Sequence, residues 1–405
     1  MKITDTPALK QWLLDHQALD LELRSHYHTL HQCPEVGSDL PLTKTYVCDT
    51  LRSFGCNPIE TPEGGVVILL GSQDPDAPTL LLRADMDALP LKEETDLSFK
   101  STNGSMHACG HDMHTSMMLG VTRLLKEEES TLNGRVKIIF QPHEEGLVGS
   151  KRMIENGILE NPYVDAAIAI HVEAGVEDCG IIRYRKAETT AASTIFEVTV
   201  HGKSAHGAQP HLGIDPLNVA VRIYLAFQEL IARELSAFSS NILTVGMLNA
   251  GTSHNIIPKK ATMRCSLRSF SNTDQTFIMK RVQEICDGIA GAFHAQASIT
   301  ILNSAPCTYN DPELTEELVN GARELFGEEL KERPVPLPVS EDFSRFGQLV
   351  PSAFFTIATG GPDDGYHFTQ HNPKVTFDEN AMIRGCCFLH QCAIHWLNHQ
   401  GKKSY

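Results

Sequence analysis

The chain has 405 residues, with 50 acidic against 34 basic side chains and a formal net charge of −16. So acidic a chain argues against a nucleic-acid or anionic-membrane surface, because phosphate binding needs a basic face. Any acidic substrate must then be held by a few local cations. The length predicts two domains, and 41% hydrophobic residues leave enough apolar side chains for ordinary globular cores. No apolar run approaches the roughly 20 residues that span a bilayer. The N-terminal stretch MKITDTPALKQWLLDH lacks the apolar segment and cleavage site of a secretory signal. Eleven cysteines without framework spacing suit a reducing cytoplasm and mostly buried thiols.

In chain order, residues 5–32 read as an amphipathic helix stopped by Pro34, and 43–54 as a second helix closed by Gly55. Residues 65–70 and 79–84 are short apolar runs bounded by turn residues, hence buried strands. The second delivers Asp85 and Asp87 to a strand's carboxyl end, where open α/β sheets build their sites. These carboxylates are either solvated loop residues or supports behind a ligand set. The segment MHACGHDMH (106–114) then gathers His107, Cys109, His111, Asp112 and His114 within eight positions. Nitrogen and sulfur donors at this density suit zinc, manganese, cobalt or nickel. From Asp112 onward Met113, Met117, Met118, Val121, Leu124 and Leu125 follow helical spacing, so the cluster sits where a loop enters a helix. Taken alone, it is matched by a bland alternative of a buried cysteine beside surface histidines.

Residues 135–140 alternate into a strand that ends at Gln141-Pro142-His143-Glu144-Glu145-Gly146. Neighbouring glutamates in an extended chain face opposite ways, so one can bind a metal while the other acts as a base. An H-E-x-x-H motif is excluded, because Leu147 stands where its second histidine would be. A further buried strand over 164–170 leads to His171.

From 193 the pattern changes to half-exposed alternation. A helix over 216–237, strands at 241–248 and 261–269, a helix over 273–291 and a strand at 297–303 complete a β-α-β-β-α-β order, that of a ferredoxin-like sandwich. The domain reading is therefore 1–188 with 304–405 as an α/β unit, and 189–303 inserted. Polar, glycine-rich loops at 201–211 and 251–258, with Arg264 and Arg268 beyond them, suit either plain surface loops or a substrate lid. The chain closes with a helix over 313–326, a proline-rich connector, a capped acidic turn at 340–343, a strand over 352–358, a loop bearing His367 and His371, and a last helix over 380–397. No G-x-S-x-G is present, which argues against a serine hydrolase.

The ordered motifs RADMDALP (83–90), MHACGHDMHT (106–115), FQPHEEG (140–146), the strand ending in His171, HGKSAHGAQPH (201–211), GTSHNIIP (251–258), SEDF (340–343) and HNP (371–373) together resemble the M20 metallopeptidase clan. The similarity is to its amidohydrolase branch of hippurate, aminobenzoyl-glutamate, N-acyl-amino-acid and auxin-conjugate hydrolases. It covers nearly the whole chain. Two departures are Pro142-His143-Glu144-Glu145 for the usual P-A-E-E, and His371-Asn372-Pro373 for H-S-P; neither removes a ligand.

The resemblance implies a Zn-peptidase-like α/β catalytic domain with an inserted ferredoxin-like lid. It implies two divalent ions, manganese or zinc first and cobalt or nickel as alternatives. Cys109 would bridge them, with Glu145 and His371 at one ion and His111 and His171 at the other; His367 is the alternative to His371. Five donors are too many for one tetrahedral ion and suit two that share a thiolate. Glu144 would be the general base, His206 with Asn255 would reach the scissile carbonyl, and Arg268 would hold the substrate carboxylate. The implied substrate is an N-acyl amino acid and the implied assembly a homodimer through the lid. A dipeptidase of the same clan and a non-catalytic metal- or peptide-binding relative are the competing readings.

Overall fold

The structure, a computed structural model, describes residues 5–403. It divides into two compact units. One comprises the chain up to Ala187, Tyr309–Val335 and everything from Asp342 on; the other comprises Glu188–Thr308 and Pro336–Glu341.

The first unit is built on an eight-stranded mixed sheet. Its order is Ile59–Glu60, Val66–Gly71, Arg135–Gln141, Thr79–Asp85, Ala166–Glu173, Ser352–Ala358, Ile182–Tyr184, Leu330–Glu332. The four central strands are parallel. Three of these, Thr79–Asp85, Arg135–Gln141 and Ser352–Ala358, are buried at every position. That explains why they read as continuous apolar runs rather than alternating ones. On one face pack the helices Gln17–His31, His111–Glu127 and Asn380–Lys403, around Met113, Met117, Ile168, Phe355 and Phe388. The other face is covered by Met153, Phe343 and Phe346, with Phe354 of the sheet among them. The strand register sets where the site can form. Asp85 is level with Gln141 and Arg83 with Ala169, so the loops after three parallel strands open at one edge.

Two local readings change. The first helix is two, Pro7–Asp15 and Gln17–His31, broken at His16. The His16 ring stacks on Trp12 at 3.9 Å, and its Nδ1 bonds the Trp12 carbonyl at 2.7 Å, so the side chain competes with the helical backbone there. The strands Ile182–Tyr184 and Leu330–Glu332 were not expected, since three residues are too few for periodicity to register.

The second unit is a four-stranded antiparallel sheet ordered Asn241–Ala250, Lys260–Ser269, Ala192–His201, Gln296–Ala305. Helices Pro216–Glu229 and Asn272–Ala292 bury one face over Phe196, Val198, Val200, Met263 and Leu267. Lys260–Ser269 alternates buried and accessible positions, as a strand with one covered face should. Residues 336–341, expected with 304–405, cluster here instead: Ala191 N–H donates to the Leu337 and Val339 carbonyls, and Ser340 Oγ donates to the Ala191 carbonyl.

Candidate metal centre and active site

The donor cluster begins where Cys109 turns into the helix His111–Glu127. Gly110 makes that turn at φ +86°, and a Cβ there would stand 2.4 Å from Val172 Cγ2, so the position admits glycine alone. Cys109 Sγ lies 3.6 Å from His171 Nε2, on the strand Ala166–Glu173. Cys109 also groups with Glu145 and His371, and His111 groups with Glu144 and Glu145, each set having its donor atoms within 4.8 Å of one another. His371 Nε2 lies 3.3 Å from Glu145 Oε1. Donors bound at about 2.0–2.3 Å around one tetrahedral ion stand roughly 3.3–3.7 Å apart. The six residues Cys109, His111, Glu144, Glu145, His171 and His371 thus converge. His371, and not His367, joins Cys109 and Glu145; it sits at φ +65°, an unusual backbone state for a residue other than glycine.

Two orphaned atoms point to a cation. His111 donates Nδ1–H to the Asp87 carbonyl at 2.8 Å, which leaves its lone pair on Nε2, and that atom is buried without a hydrogen-bond partner. Glu145 Oε1 is likewise buried without a hydrogen bond, its near neighbour being the His371 Nε2 at 3.3 Å. His171 Nδ1 bonds the Val172 carbonyl at 2.7 Å, turning Nε2 toward the thiol. A second partner that fixes one ring nitrogen and frees the other is the usual arrangement around a metal-bound imidazole.

The electrostatics point the same way. Burial and Glu145 both oppose ionisation of Cys109, but His171 and His111 outweigh them and hold the thiol down to about 6. His371 is pushed up to about 10, first by Cys109 and then by Glu145. Burial disfavours charge on His111, yet Asp85 and Cys109 raise it well above its ordinary value. Buried anions crowd this centre and call for positive charge.

Behind the donors stands a network of supports. His114 and Asp85 lie within 4.8 Å of His111 and His171, but their atoms are engaged. His114 donates Nδ1–H to Asp85 Oδ1 at 2.5 Å and accepts the Val172 N–H on Nε2 at 2.9 Å. Asp85 also takes Arg83 Nη1 at 2.6 Å. Burial opposes its charge, but Arg83, His111 and His114 hold Asp85 well below the usual carboxylate range. Asp87 accepts the backbone N–H groups of Glu144 and Glu145 at 2.8 and 3.1 Å. Asp342 takes Arg83, Gln141 and the Ser150 N–H at 3.0, 2.7 and 2.9 Å, and its own N–H donates to Glu144 Oε1 at 3.3 Å. His31 bridges Asp112 at 2.6 Å and Glu93 at 3.2 Å.

Asp342 and His31 were not assigned roles from sequence. A signal existed for the first: Arg83 interrupts an apolar strand, and a buried guanidinium must meet carboxylates. For His31 there was none.

In the second unit, His206 and Asn255 are brought together: His206 pairs with Ile256, and Gly207 N–H donates to the Asn255 carbonyl at 2.7 Å. His206 Nδ1 accepts the Ala208 N–H at 3.0 Å, so the neutral ring carries its proton on Nε2 and can donate it. Arg268 stands elsewhere. Its guanidinium donates to Ser340 Oγ, and it lies at the far end of the strand that begins at Lys260.

Residues 81–395 match peptidase family M20/M25/M40. The chain belongs to that family. Among its M20 relatives, the N-acetyl-L-cysteine deacetylase of Bacillus subtilis is 32% identical over 372 residues, 91% of this chain and 86% of its own length. The hippurate hydrolase of Campylobacter jejuni is 34% identical over 388 residues, 94% and 98% of the two chains. A Bacillus subtilis protein described as a dinuclear metal-binding peptidase of the M20 family superposes with a TM-score of 0.80 at 27% identity, covering 94% of this chain and 99% of that one. This M20 protein is a metallo-amidohydrolase with the α/β fold of its family, and its His, Cys and carboxylate cluster is a group of donors that could hold a metal ion. Among the described residues no helix is long and apolar enough to cross a membrane.

Proposed function

We propose that the chain hydrolyses the amide bond of N-acyl amino acids, releasing a carboxylic acid and an amino acid. The observation that carries this is the pairing of Glu144 with Glu145 on one loop. Both group with His111, but Glu145 also groups with Cys109 and His371, whereas the carboxylate of Glu144 is held by the Asp342 N–H, 4.0 Å from His111 Nε2. A protein that merely bound metal would have no use for a second buried carboxylate there. Relatives named N-acetyl-L-cysteine deacetylase, hippurate hydrolase and IAA-amino acid hydrolase support an acyl-amino-acid substrate, while two named thermostable carboxypeptidases speak for the peptidase reading.

We assign Cys109, His111, Glu145, His171 and His371 to two divalent ions, with the thiolate shared and manganese or zinc as the metal. When bound, such ions polarise a carbonyl and bring the pKa of a water to about 7. Glu144 takes the proton of the attacking water and passes it to the departing amine. His206 donates Nε2–H to the carbonyl oxygen as negative charge grows there, with Asn255 beside it. Arg268 binds the substrate carboxylate.

The last two assignments bear on assembly. Along the second unit's sheet, Arg268 lies eight residues beyond Lys260, the end nearest His206. At 3.3–3.4 Å per residue that is roughly 27 Å, whereas a substrate two residues long spans about 7 Å. That separation speaks against His206 and Arg268 of one chain touching one substrate. If both act, they come from different protomers, which supports a homodimer paired through the second unit. All eleven cysteines are unpaired, in keeping with a cytoplasmic setting. The test is a panel of N-acetyl, N-benzoyl, aminobenzoyl and indoleacetyl amino acids, each with Mn, Zn, Co and Ni. Cleavage of dipeptides in preference to all of these would favour the peptidase reading.

A further inference from the structure

On the first unit, away from the donor cluster, the C-terminal helix Asn380–Lys403 carries His395 and His399. Residues four apart on a helix are neighbours on one face, and their ring centroids are 4.4 Å apart. The helix Pro312–Phe326 packs against this one and presents Glu317 at the same place. One donor atom from each of Glu317, His395 and His399 lies within 4.8 Å of the other two.

Two further observations single this group out from ordinary surface histidines. The His395 ring lies over Gly321, one turn beyond Glu317, so closely that a Cβ there would meet its Cγ at 2.3 Å. The ring is thus seated against the neighbouring helix. In addition, Glu317 Oε1 is buried with no hydrogen-bond partner. A carboxylate oxygen out of water and without a donor is costly, and a cation satisfies it.

We propose that Glu317, His395 and His399 form a further divalent-metal site, of the zinc or nickel class, that fastens the helix Pro312–Phe326 to the C-terminal helix. Two imidazoles and one carboxylate are the donors that zinc takes, with water completing the coordination. A bond length of about 2.0–2.2 Å draws the three donors inward by roughly an ångström, within reach of side-chain rotation. The C-terminal helix packs against both Pro312–Phe326 and His111–Glu127, so its attachment bears on the stability of the whole first unit. The site stands apart from the catalytic assignment and does not depend on it.

The experiment compares wild type, Glu317→Gln and His399→Asn, each dialysed against zinc and analysed for bound metal, thermal unfolding and amide hydrolysis. His399 is exposed and Glu317→Gln keeps the side chain's shape, so both variants should fold, as their Tm without added zinc will report. Wild type should hold one more equivalent of zinc than either variant. Its Tm should rise with added zinc more than theirs, and amide hydrolysis should be equal in all three. Affinity at the site should fall at least about tenfold in each variant, since even supporting groups around a metal are worth about 10–100-fold. Equal zinc content in all three overturns the proposal. So does a loss in His399→Asn alone, which would mean a plain histidine pair, or a joint loss of zinc and activity, which would assign the extra metal to the catalytic centre.

Discussion

Asp87 accepts the backbone N–H of Glu144 at 2.8 Å, and its other oxygen takes the N–H of Glu145 at 3.1 Å. One carboxylate from the end of Thr79–Asp85 thereby sets the attitude of the loop after Arg135–Gln141. The same residue's carbonyl fixes the tautomer of His111. Asp87→Asn replaces one acceptor oxygen with an N–H that faces another N–H. Metal affinity and kcat/KM should each fall by about 10–100-fold, the usual effect of removing a support behind metal ligands. Titration of metal-free protein and steady-state kinetics measure both.

The adjacent glutamates should separate cleanly. Glu144→Gln should keep its metal and lose about 10²–10⁴-fold in kcat, the scale of general acid–base catalysis. Glu145→Gln should lose metal. Elemental analysis beside kcat for both variants distinguishes them, and exchanged phenotypes would mean the two roles are swapped.

His31 predicts a pH dependence of stability. Burial alone would lower its pKa, but Asp112 and Glu93 outweigh burial and raise it to about 9. Because the folded value exceeds the unfolded value of about 6.5, the protonated ring's contribution is complete below about 6.5. It is lost as pH rises through about 9. His31→Leu leaves two buried carboxylates facing no cation and should cost about 3–5 kcal/mol. Urea unfolding between pH 6 and 10 should show the wild-type decline, and the variant should lack that component.

His206→Ala should lose about 10²–10³-fold in kcat with metal content unchanged, as for removal of one donor to an oxyanion. Mixing this variant with Glu144→Gln protein should restore activity if the histidine serves the partner's site, because one of the two sites in a heterodimer is then intact. No recovery would place His206 with its own chain's metals, and Arg268 would then lose its assignment to the same substrate.

The parallel strands were legible because burial on both faces writes them as apolar runs, and the inserted sandwich because its strands alternate. The donor cluster was legible because Cys109 and His111 stand where a loop enters a helix, and Glu144 and Glu145 lie on a short loop at a strand end. What was illegible depended on pairing across long sequence separations. Nothing local in the sequence marks His31 as the partner of Asp112 and Glu93, and nothing marks Glu317 as the neighbour of His395. The break at His16 was hidden for another reason: a histidine ring stacking on Trp12 leaves no trace in hydrophobic periodicity.

The central claim is a shared-thiolate pair of ions serving Glu144 in amide hydrolysis. Titrating metal-free wild type, Cys109→Ser and Glu144→Gln with Mn or Zn, while monitoring cleavage of an N-acyl amino acid, tests it most directly. The account predicts wild-type activity that saturates at two equivalents at the catalytic centre, counted in the His399→Asn background. It also predicts weakened binding of both ions in Cys109→Ser, and full loading without turnover in Glu144→Gln. Saturation at one equivalent with Cys109→Ser fully active would contradict it.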